Sequence, residues 1–154
     1  MSECMSPNRT VSVDTHSDDE TRAFGRKIAA RLEPGSVVLL EGDLGAGKTT
    51  LVQGICHGLG VDAWANSPTF TLINEYVGNS NGTELRVYHC DFYRIDDPDE
   101  LQTLAIDEVF YGDGISLVEW PDVAAEWAPP HAVRIAITRT GAEDRHIRVE
   151  QSLD

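Results

Sequence analysis

Hydrophobic and polar positions in the first third of the chain alternate between strand-like and helix-like spacing. Phe24, Ile28 and Leu32 recur every four residues and predict a helix with one apolar stripe. The sequence Ser-Asp-Asp-Glu at residues 17–20 is a capping box, so it predicts where this helix begins. Residues 10–13 precede the box and predict a short strand.

The next segment combines an apolar strand with a second helix. Residues 36–41 form a nearly uninterrupted apolar run, which is typical of a strand covered on both faces. A glycine-rich turn follows, and residues 48–59 then predict a helix that Gly60 ends.

The rest of the chain favours strands. They are predicted at residues 70–77, 83–91, 115–119, 132–138 and 145–149. The first two flank the sequence Gly-Asn-Ser-Asn-Gly at residues 78–82 and predict a hairpin, and the last two predict another. Helical segments are predicted from Asp97, with Leu101, Leu104 and Ala105 facing inward, and at residues 122–127.

Helices and strands therefore mix along the chain, without an internal repeat or a linker. This mixture predicts a single α/β domain whose mixed parallel and antiparallel sheet is flanked by helices. We expect residues 1–9 to be a disordered lead-in, residues 10–150 to form the domain and residues 151–154 to form a tail. A chain of 154 residues can bury a core of its own without disulfides.

Composition and charge exclude several classes of function. The net charge is −14, from 26 acidic and 12 basic residues, which argues against autonomous binding to nucleic acid or to an anionic membrane. The longest apolar run, at residues 37–40, is far shorter than the roughly 20 residues that cross a bilayer. Cys4, Cys56 and Cys90 fit neither a disulfide framework nor a structural zinc site, so we expect reduced thiols in a cytoplasmic protein.

The glycine-rich turn carries the strongest chemical signal. Residues 42–49, GDLGAGKT, match G-x-x-x-x-G-K-[ST] between an apolar strand and a helix, as a phosphate-binding loop requires. Lys48 is expected to reach the β- and γ-phosphates of a nucleotide, and the Thr49 hydroxyl to ligate Mg²⁺. The predicted phosphate-binding set is Gly45, Ala46, Gly47, Lys48, Thr49 and Thr50. The sequence therefore predicts a P-loop NTPase-like domain.

Such a site also needs carboxylates at strand ends, and two predicted strands offer one. Asp91 ends the strand at residues 83–91, and Glu119 ends the more apolar strand at residues 115–119. Each is a candidate for the metal site.

Three further residues each have two interpretations. Thr69, in Ser-Pro-Thr at residues 67–69, fits either a switch that senses the γ-phosphate or a turn anchored by proline. Trp120 fits either stacking on a base or core packing. His89 fits either a base or a buried, hydrogen-bonded imidazole, and the second is the ordinary state.

Motifs that are missing from the sequence narrow the choice among nucleotide-binding proteins. The sequences Asn-Lys-x-Asp, which reads guanine, and Leu-Ser-Gly-Gly-Gln, which marks transporter ATPases, are both missing. Residues 71–128 contain only two basic residues, Arg86 and Arg94, so the arginine-rich lid of small-molecule kinases is also missing. We see no arginine in an obvious position to stabilise a transferring phosphoryl group, and no strong general base.

Four motifs in this order resemble those of the bacterial TsaE (YjeE) family, which acts in tRNA threonylcarbamoyladenosine biosynthesis. They are GDLGAGKTT at residues 42–50, SPTFTL at residues 67–72, HCDFYR at residues 89–94 and VEWP at residues 118–121. The resemblance implies a P-loop fold that binds ATP and Mg²⁺ and hydrolyses ATP slowly. It also implies work with the protein partners TsaB and TsaD, and contact with tRNA only through that complex.

The resemblance also implies roles for individual residues. Lys48 and Thr49 would hold phosphate and Mg²⁺, Asp91 would be the Walker-B-like acid, and Glu119 would serve Mg²⁺ binding and hydrolysis. Trp120 would lie near the nucleotide, and residues 67–69 would act as a switch. A small-molecule P-loop kinase and a non-catalytic, nucleotide-gated adaptor are the alternative functions. Slow hydrolysis alone and faster hydrolysis with partners is the expected behaviour.

Overall fold

Seven strands and three α-helices form the part of the chain that the computed structural model describes. The described residues are 8–43, 45–62, 73–93, 95, 97, 99–101, 105–124 and 127–152. The strands are β1 (Asn8–Thr15), β2 (Val37–Glu41), β3 (Ile73–Ser80), β4 (Thr83–Asp91), β5 (Ile115–Glu119), β6 (Val133–Arg139) and β7 (Arg145–Ser152). The helices are α1 (Asp18–Ala29), α2 (Lys48–Gly58) and α3 (Ile106–Phe110), and a 3-10 helix spans Pro121–Ala124.

The strands form one sheet in the order β1-β7-β6-β2-β5-β4-β3. The central strand β2 runs parallel to both β5 and β6, and β5 runs parallel to β4. The outer pairs β1–β7, β6–β7 and β3–β4 are antiparallel. The predicted α/β domain with a mixed sheet is therefore confirmed, and the carboxyl ends of β2, β4 and β5 meet at one edge.

Side chains of β2 alternate between two hydrophobic clusters, one on each face of the sheet. Val38 and Leu40 pack with α1 and α2, while Val37 and Leu39 pack with α3. All four side chains are at most 1% exposed. This explains why β2 is apolar at consecutive positions, as predicted for a strand with both faces covered.

The start of α1 confirms the helix cap in a slightly altered form. The Ser17 hydroxyl accepts a hydrogen bond from the Glu20 N–H at 3.1 Å, as expected. The Glu20 carboxylate, however, accepts from the N–H of His16 at 2.8 Å, one residue earlier than in the capping box. Both bonds fix the direction in which the chain enters α1.

The hairpin predicted around residues 78–82 is confirmed, but its loop is shorter than these five residues. Strands β3 and β4 continue until Ser80 pairs with Thr83, which leaves a two-residue turn of Asn81 and Gly82. Their φ values of 52° and 83° are those of a type I′ turn, whose twist matches that of the strands. Residues 70–72, the start of the predicted strand, lie outside the described residues.

The helix predicted from Asp97 is wrong in its position. Residues 99–101 have 3-10 conformation with Leu101 buried, and the α-helix begins at Ile106. Ala105, predicted to face inward, is exposed and has a φ of 53°, a left-handed conformation that cannot continue a right-handed helix. Leu104 lies outside the described residues.

The predicted domain, residues 10–150, is two residues too short at each end. Strand β1 begins at Asn8 and β7 ends at Ser152, and these two residues pair with each other. Residues 8–9 and 151–152 therefore belong to the sheet rather than to a lead-in and a tail.

No helix in the described ranges combines the length and apolar character needed to cross a membrane.

Candidate functional site

The turn between β2 and α2 brings backbone amides to the carboxyl edge of the sheet. A Cβ atom at Gly42 would lie 2.5 Å from the Ile137 carbonyl oxygen, so only glycine allows the loop to pass this close to β6. Gly47 has a φ of 104°, which turns the chain into the first residue of α2. Because the first amides of a helix have no partner within the helix, the turn presents N–H groups at the start of α2, an arrangement that is suited to an anion.

Lys48, the first residue of α2, is held at the mouth of this turn. Its side chain is 5% exposed, and its ammonium donates a hydrogen bond to the Gly42 carbonyl. The Nζ atom lies 3.5 Å from the centre of the Trp120 ring, which is cation–π geometry. Burial lowers the pKa of Lys48, and the carboxylates of Glu119 and Asp91 act in the opposite direction.

Glu119, the last residue of β5, is buried against two partners. Its Oε2 atom lies 3.5 Å from the Thr49 hydroxyl, which donates to it, and 2.6 Å from Nε2 of His89. Because a carboxylate only accepts hydrogen bonds, Nε2 carries the proton in this contact. His89 is fully buried, which agrees with its interpretation as a structural, hydrogen-bonded imidazole.

Asp91, the last residue of β4, lies beside Glu119 in the β4–β5 register. Its Oδ1 atom accepts a hydrogen bond from the Tyr93 N–H at 3.1 Å. Burial is the main cause that raises the pKa of Asp91, and the charge of Glu119 adds to it. The two carboxylates predicted at strand ends thus meet because parallel strands end at the same edge.

Trp120 leaves β5 in an unusual conformation that points its ring into the site. Its φ is 56°, the left-handed region that costs a bulky residue about 1 kcal/mol or more. The ring contacts that of Tyr93 with centres 4.8 Å apart, in addition to covering Lys48. Trp120 therefore packs against site residues rather than in the hydrophobic core.

These groups line one open cleft with a volume of about 430 Å³. Its lining residues are Asp18, Gly45, Gly47, Lys48, Thr49, Thr50, Asp91, Tyr93, Glu119, Trp120 and Arg145. Ala46 is buried and faces a neighbouring hollow beside β6 instead. Thr69 lies outside the described residues, so its role stays a prediction.

Three lining residues were missed by the sequence analysis. The sequence contains a signal for Tyr93, since this residue belongs to the His-x-Asp-x-Tyr-Arg motif. It contains no signal for Asp18 and Arg145, because these residues come from α1 and β7, far along the chain from the loop. We expected no arginine in an obvious position to stabilise a transferring phosphoryl group, and the structure adds that Arg145 lies beside Gly47.

The oxygen ligands of the site suit Mg²⁺ better than a softer metal. Mg²⁺ is usually held by one or two protein oxygens together with phosphate oxygens and water. Thr49 and Glu119 provide a hydroxyl and a carboxylate in contact with each other. Within the described ranges, no three carboxylate, imidazole or thiol side chains form a cluster of the kind that holds a metal by itself.

Comparisons with known proteins agree on one family. A family model described as "Threonylcarbamoyl adenosine biosynthesis protein TsaE" matches residues 15–147. The tRNA threonylcarbamoyladenosine biosynthesis protein TsaE of Bacillus subtilis is 45% identical over 133 residues, covering 86% of this chain and 80% of the relative. The protein of the same name from Treponema pallidum is 36% identical over 135 residues, covering 88% of this chain and 96% of the relative.

A solved structure supports the same relationship. The crystal structure of Bacillus subtilis YdiB superposes with a TM-score of 0.74 at 36% sequence identity. The match covers 94% of this chain and 87% of that structure.

Proposed function

The chain belongs to the TsaE family of tRNA threonylcarbamoyladenosine biosynthesis proteins, and we propose that it serves this pathway by binding and slowly hydrolysing ATP. The observation that carries the proposal is the convergence of Lys48, Thr49 and Glu119 at the end of the glycine-rich turn. A hydroxyl and a carboxylate in contact, with a buried ammonium lining the same cleft, form the set that a nucleoside triphosphate with Mg²⁺ requires.

We assign the domain to the P-loop NTPase-like fold because of where the turn lies. It connects the central parallel strand β2 to α2, so the helix end and its free amides face the carboxyl edge of the sheet. The backbone amides of residues 45–50 would hold phosphate oxygens, and Lys48 would reach the β- and γ-phosphates. Trp120 keeps the Lys48 ammonium close to this turn.

Thr49 and Glu119 would be the protein ligands of Mg²⁺. The bound ion would neutralise charge that develops on the β- and γ-phosphates during hydrolysis. His89 holds Glu119 in place through a hydrogen bond of 2.6 Å. Asp91 lies next to Glu119 and accepts a hydrogen bond from Tyr93, so we place it as the acid that supports the metal ligands.

Slow hydrolysis follows from the surroundings of these carboxylates. The Glu119 carboxylate is engaged by His89 and Thr49, and Asp91 is engaged by the Tyr93 amide, so neither is a free general base. We propose that the partners TsaB and TsaD complete the site and raise turnover, as the missing charge stabiliser of a P-loop enzyme typically accounts for about 10³–10⁵ in rate. Contact with tRNA would occur through these partners, because the chain carries a net charge of −14.

The decisive experiment measures ATP turnover and tRNA modification with purified components. The chain is assayed alone and with TsaB and TsaD, and each component is omitted in turn. Lys48→Ala is compared with Lys27→Ala, which removes the other of the two lysines, on α1 and away from the cleft. We expect Lys48→Ala and Glu119→Ala to reduce turnover at least about 100-fold and Lys27→Ala to leave it unchanged.

Different outcomes would support the alternative functions. Equal turnover with and without the partners would contradict partner activation. Transfer of the γ-phosphate label to an acceptor, instead of its release as inorganic phosphate, would identify a kinase. Full tRNA modification by Glu119→Ala but not by Lys48→Ala would identify a nucleotide-gated adaptor that needs no hydrolysis.

A further inference from the structure

Arg145 is a second cation in the cleft, in addition to Lys48. It is the first residue of β7 and lines the same cleft as Lys48, Thr49 and Thr50. A Cβ atom built on Gly47 would lie 3.1 Å from Nε of Arg145 and 3.6 Å from its Cδ. The side chain therefore lies directly against the backbone of the phosphate-binding turn.

The guanidinium is held in this position by the turn between β6 and β7. Its NH1 group donates to the carbonyl of Asp144 at 2.9 Å and more weakly to that of Gly141 at 3.4 Å. These are neutral acceptors, which orient the group without cancelling its charge. A guanidinium carries five N–H donors in a planar fork, so Arg145 retains donors for a ligand in the cleft.

Two other arginines of the sheet are paired with carboxylates, whereas Arg139, which faces Arg145 in the β6–β7 register, donates to the Gly141 carbonyl as Arg145 does but lies outside the cleft. Arg134 on β6 pairs with the Glu41 carboxylate at 3.2 Å, and Arg148 on β7 pairs with that of Glu150 at 2.5 Å. Among the described residues, no carboxylate forms an ion pair with Arg145. A positive group that is fixed beside a phosphate-binding turn and has no protein counter-ion is suited to an anionic ligand.

We propose that Arg145 binds the α- and β-phosphates of the nucleotide, the part that ATP and ADP share. In a phosphate-binding loop the backbone amides hold the α- and β-phosphates, while the lysine reaches towards the γ-phosphate. Arg145 lies against the backbone at Gly47, whereas the Lys48 ammonium lies over the Trp120 ring and donates to the Gly42 carbonyl at the start of the loop. This inference rests on the proposed function, since it names a further residue of the same nucleotide site.

The test measures binding of ADP and of ATP, each with Mg²⁺, by titration calorimetry. Arg145→Gln removes the charge but keeps donors for the carbonyls of the turn, and Arg145→Lys restores a charge. We expect the Kd of Arg145→Gln to rise about tenfold for ADP and for ATP alike, and Arg145→Lys to bind both more tightly than the Gln variant. Arg148→Ala, on the same strand but outside the cleft, is the matched control and is expected to bind as the unchanged protein does.

Each other outcome overturns the assignment in a recognisable way. Binding of ADP by Arg145→Gln within about twofold of the unchanged protein would show that Arg145 is not a phosphate ligand. If Arg145→Gln weakened the binding of ATP but not of ADP, Arg145 would instead contact the γ-phosphate. An equal loss of nucleotide affinity in the Gln and Lys variants, with a lowered melting temperature in both, would show a purely structural role. Failure of the unchanged protein to bind either nucleotide would instead overturn the proposed function.

Discussion

His89 Nε2 lies 2.6 Å from Glu119 Oε2, and the two side chains are 0% and 4% exposed. His89 stands on β4 and Glu119 ends the neighbouring parallel strand β5, so the sheet itself sets the separation of the two groups. A carboxylate that is removed from water needs donors to replace its hydration. The imidazole provides one, and it leaves the remaining side of Glu119 facing Thr49 and the cleft.

His89→Ala should destabilise the folded protein by about 3 kcal/mol. The substitution removes the buried donor and leaves the Glu119 carboxylate without its nearest partner, which is the costly way to break a buried pair. Urea unfolding measures the effect. His131→Ala serves as the control, because His131 is exposed and its replacement should change the free energy of unfolding by less than about 0.5 kcal/mol. If His89→Ala lowered the free energy of unfolding no more than the control does, this contact would not be important for stability.

Nucleotide binding should change the fluorescence of Trp120. Its ring covers Lys48 and lines the cleft, so a bound nucleotide would alter the polarity around the indole. We expect titration with ADP and Mg²⁺ to give a saturable change in tryptophan emission that is lost in Trp120→Phe. Trp127→Phe is the control and should keep the change, because Trp127 packs against the core cluster around α3. Loss of the signal in Trp127→Phe alone would contradict the placement of Trp120.

The sequence predicted the parts of the fold in which local pattern and tertiary contacts agree. The apolar run of β2, the cap of α1 at Ser17 and the glycine turn before α2 are all local signals. The apolar patterns of β4 and β5 likewise placed Asp91 and Glu119 at strand ends. Because these two strands are parallel and end at a common edge, the fold brings the two carboxylates together. This is why the main features of the candidate site were visible before the fold was known.

The remaining features depend on contacts between distant segments. Arg145 enters the cleft only because β7 pairs with β6, which lies beside β2, and no local motif indicates this. The contact between His89 and Glu119 likewise crosses two strands that are far apart in sequence. The left-handed conformation before α3 occurs at Ala105, whereas glycine and asparagine are the residues that usually adopt it. The sequence therefore gives no signal for it.

Cys56 and Cys90 should resist alkylation in the folded protein. Burial raises the pKa of the Cys56 thiol to about 12 and also raises that of Cys90. Since the thiolate is the nucleophile, this raised pKa leaves little reactive Cys56 at pH 8, and burial shields it as well. Mass spectrometry after treatment with iodoacetamide should find both cysteines unmodified in buffer and both modified in urea. Rapid modification of Cys56 in buffer would contradict the burial of this face of α2.

Gly54→Ala should destabilise the protein by about 2 kcal/mol, even though alanine is the better helix former. A Cβ atom at Gly54 would clash with the backbone of Arg22, including its Cα atom at 2.7 Å, where α1 and α2 cross. The gain of about 1 kcal/mol in helix propensity is smaller than the cost of separating two packed helices. Urea unfolding is again the measurement, and His57→Ala, at an exposed position of the same helix, is the control. Because the clash is with backbone, adding Arg22→Ala should not restore stability. Recovery in that double variant would show that the Arg22 side chain, rather than the contact between the helix backbones, limits the space at Gly54.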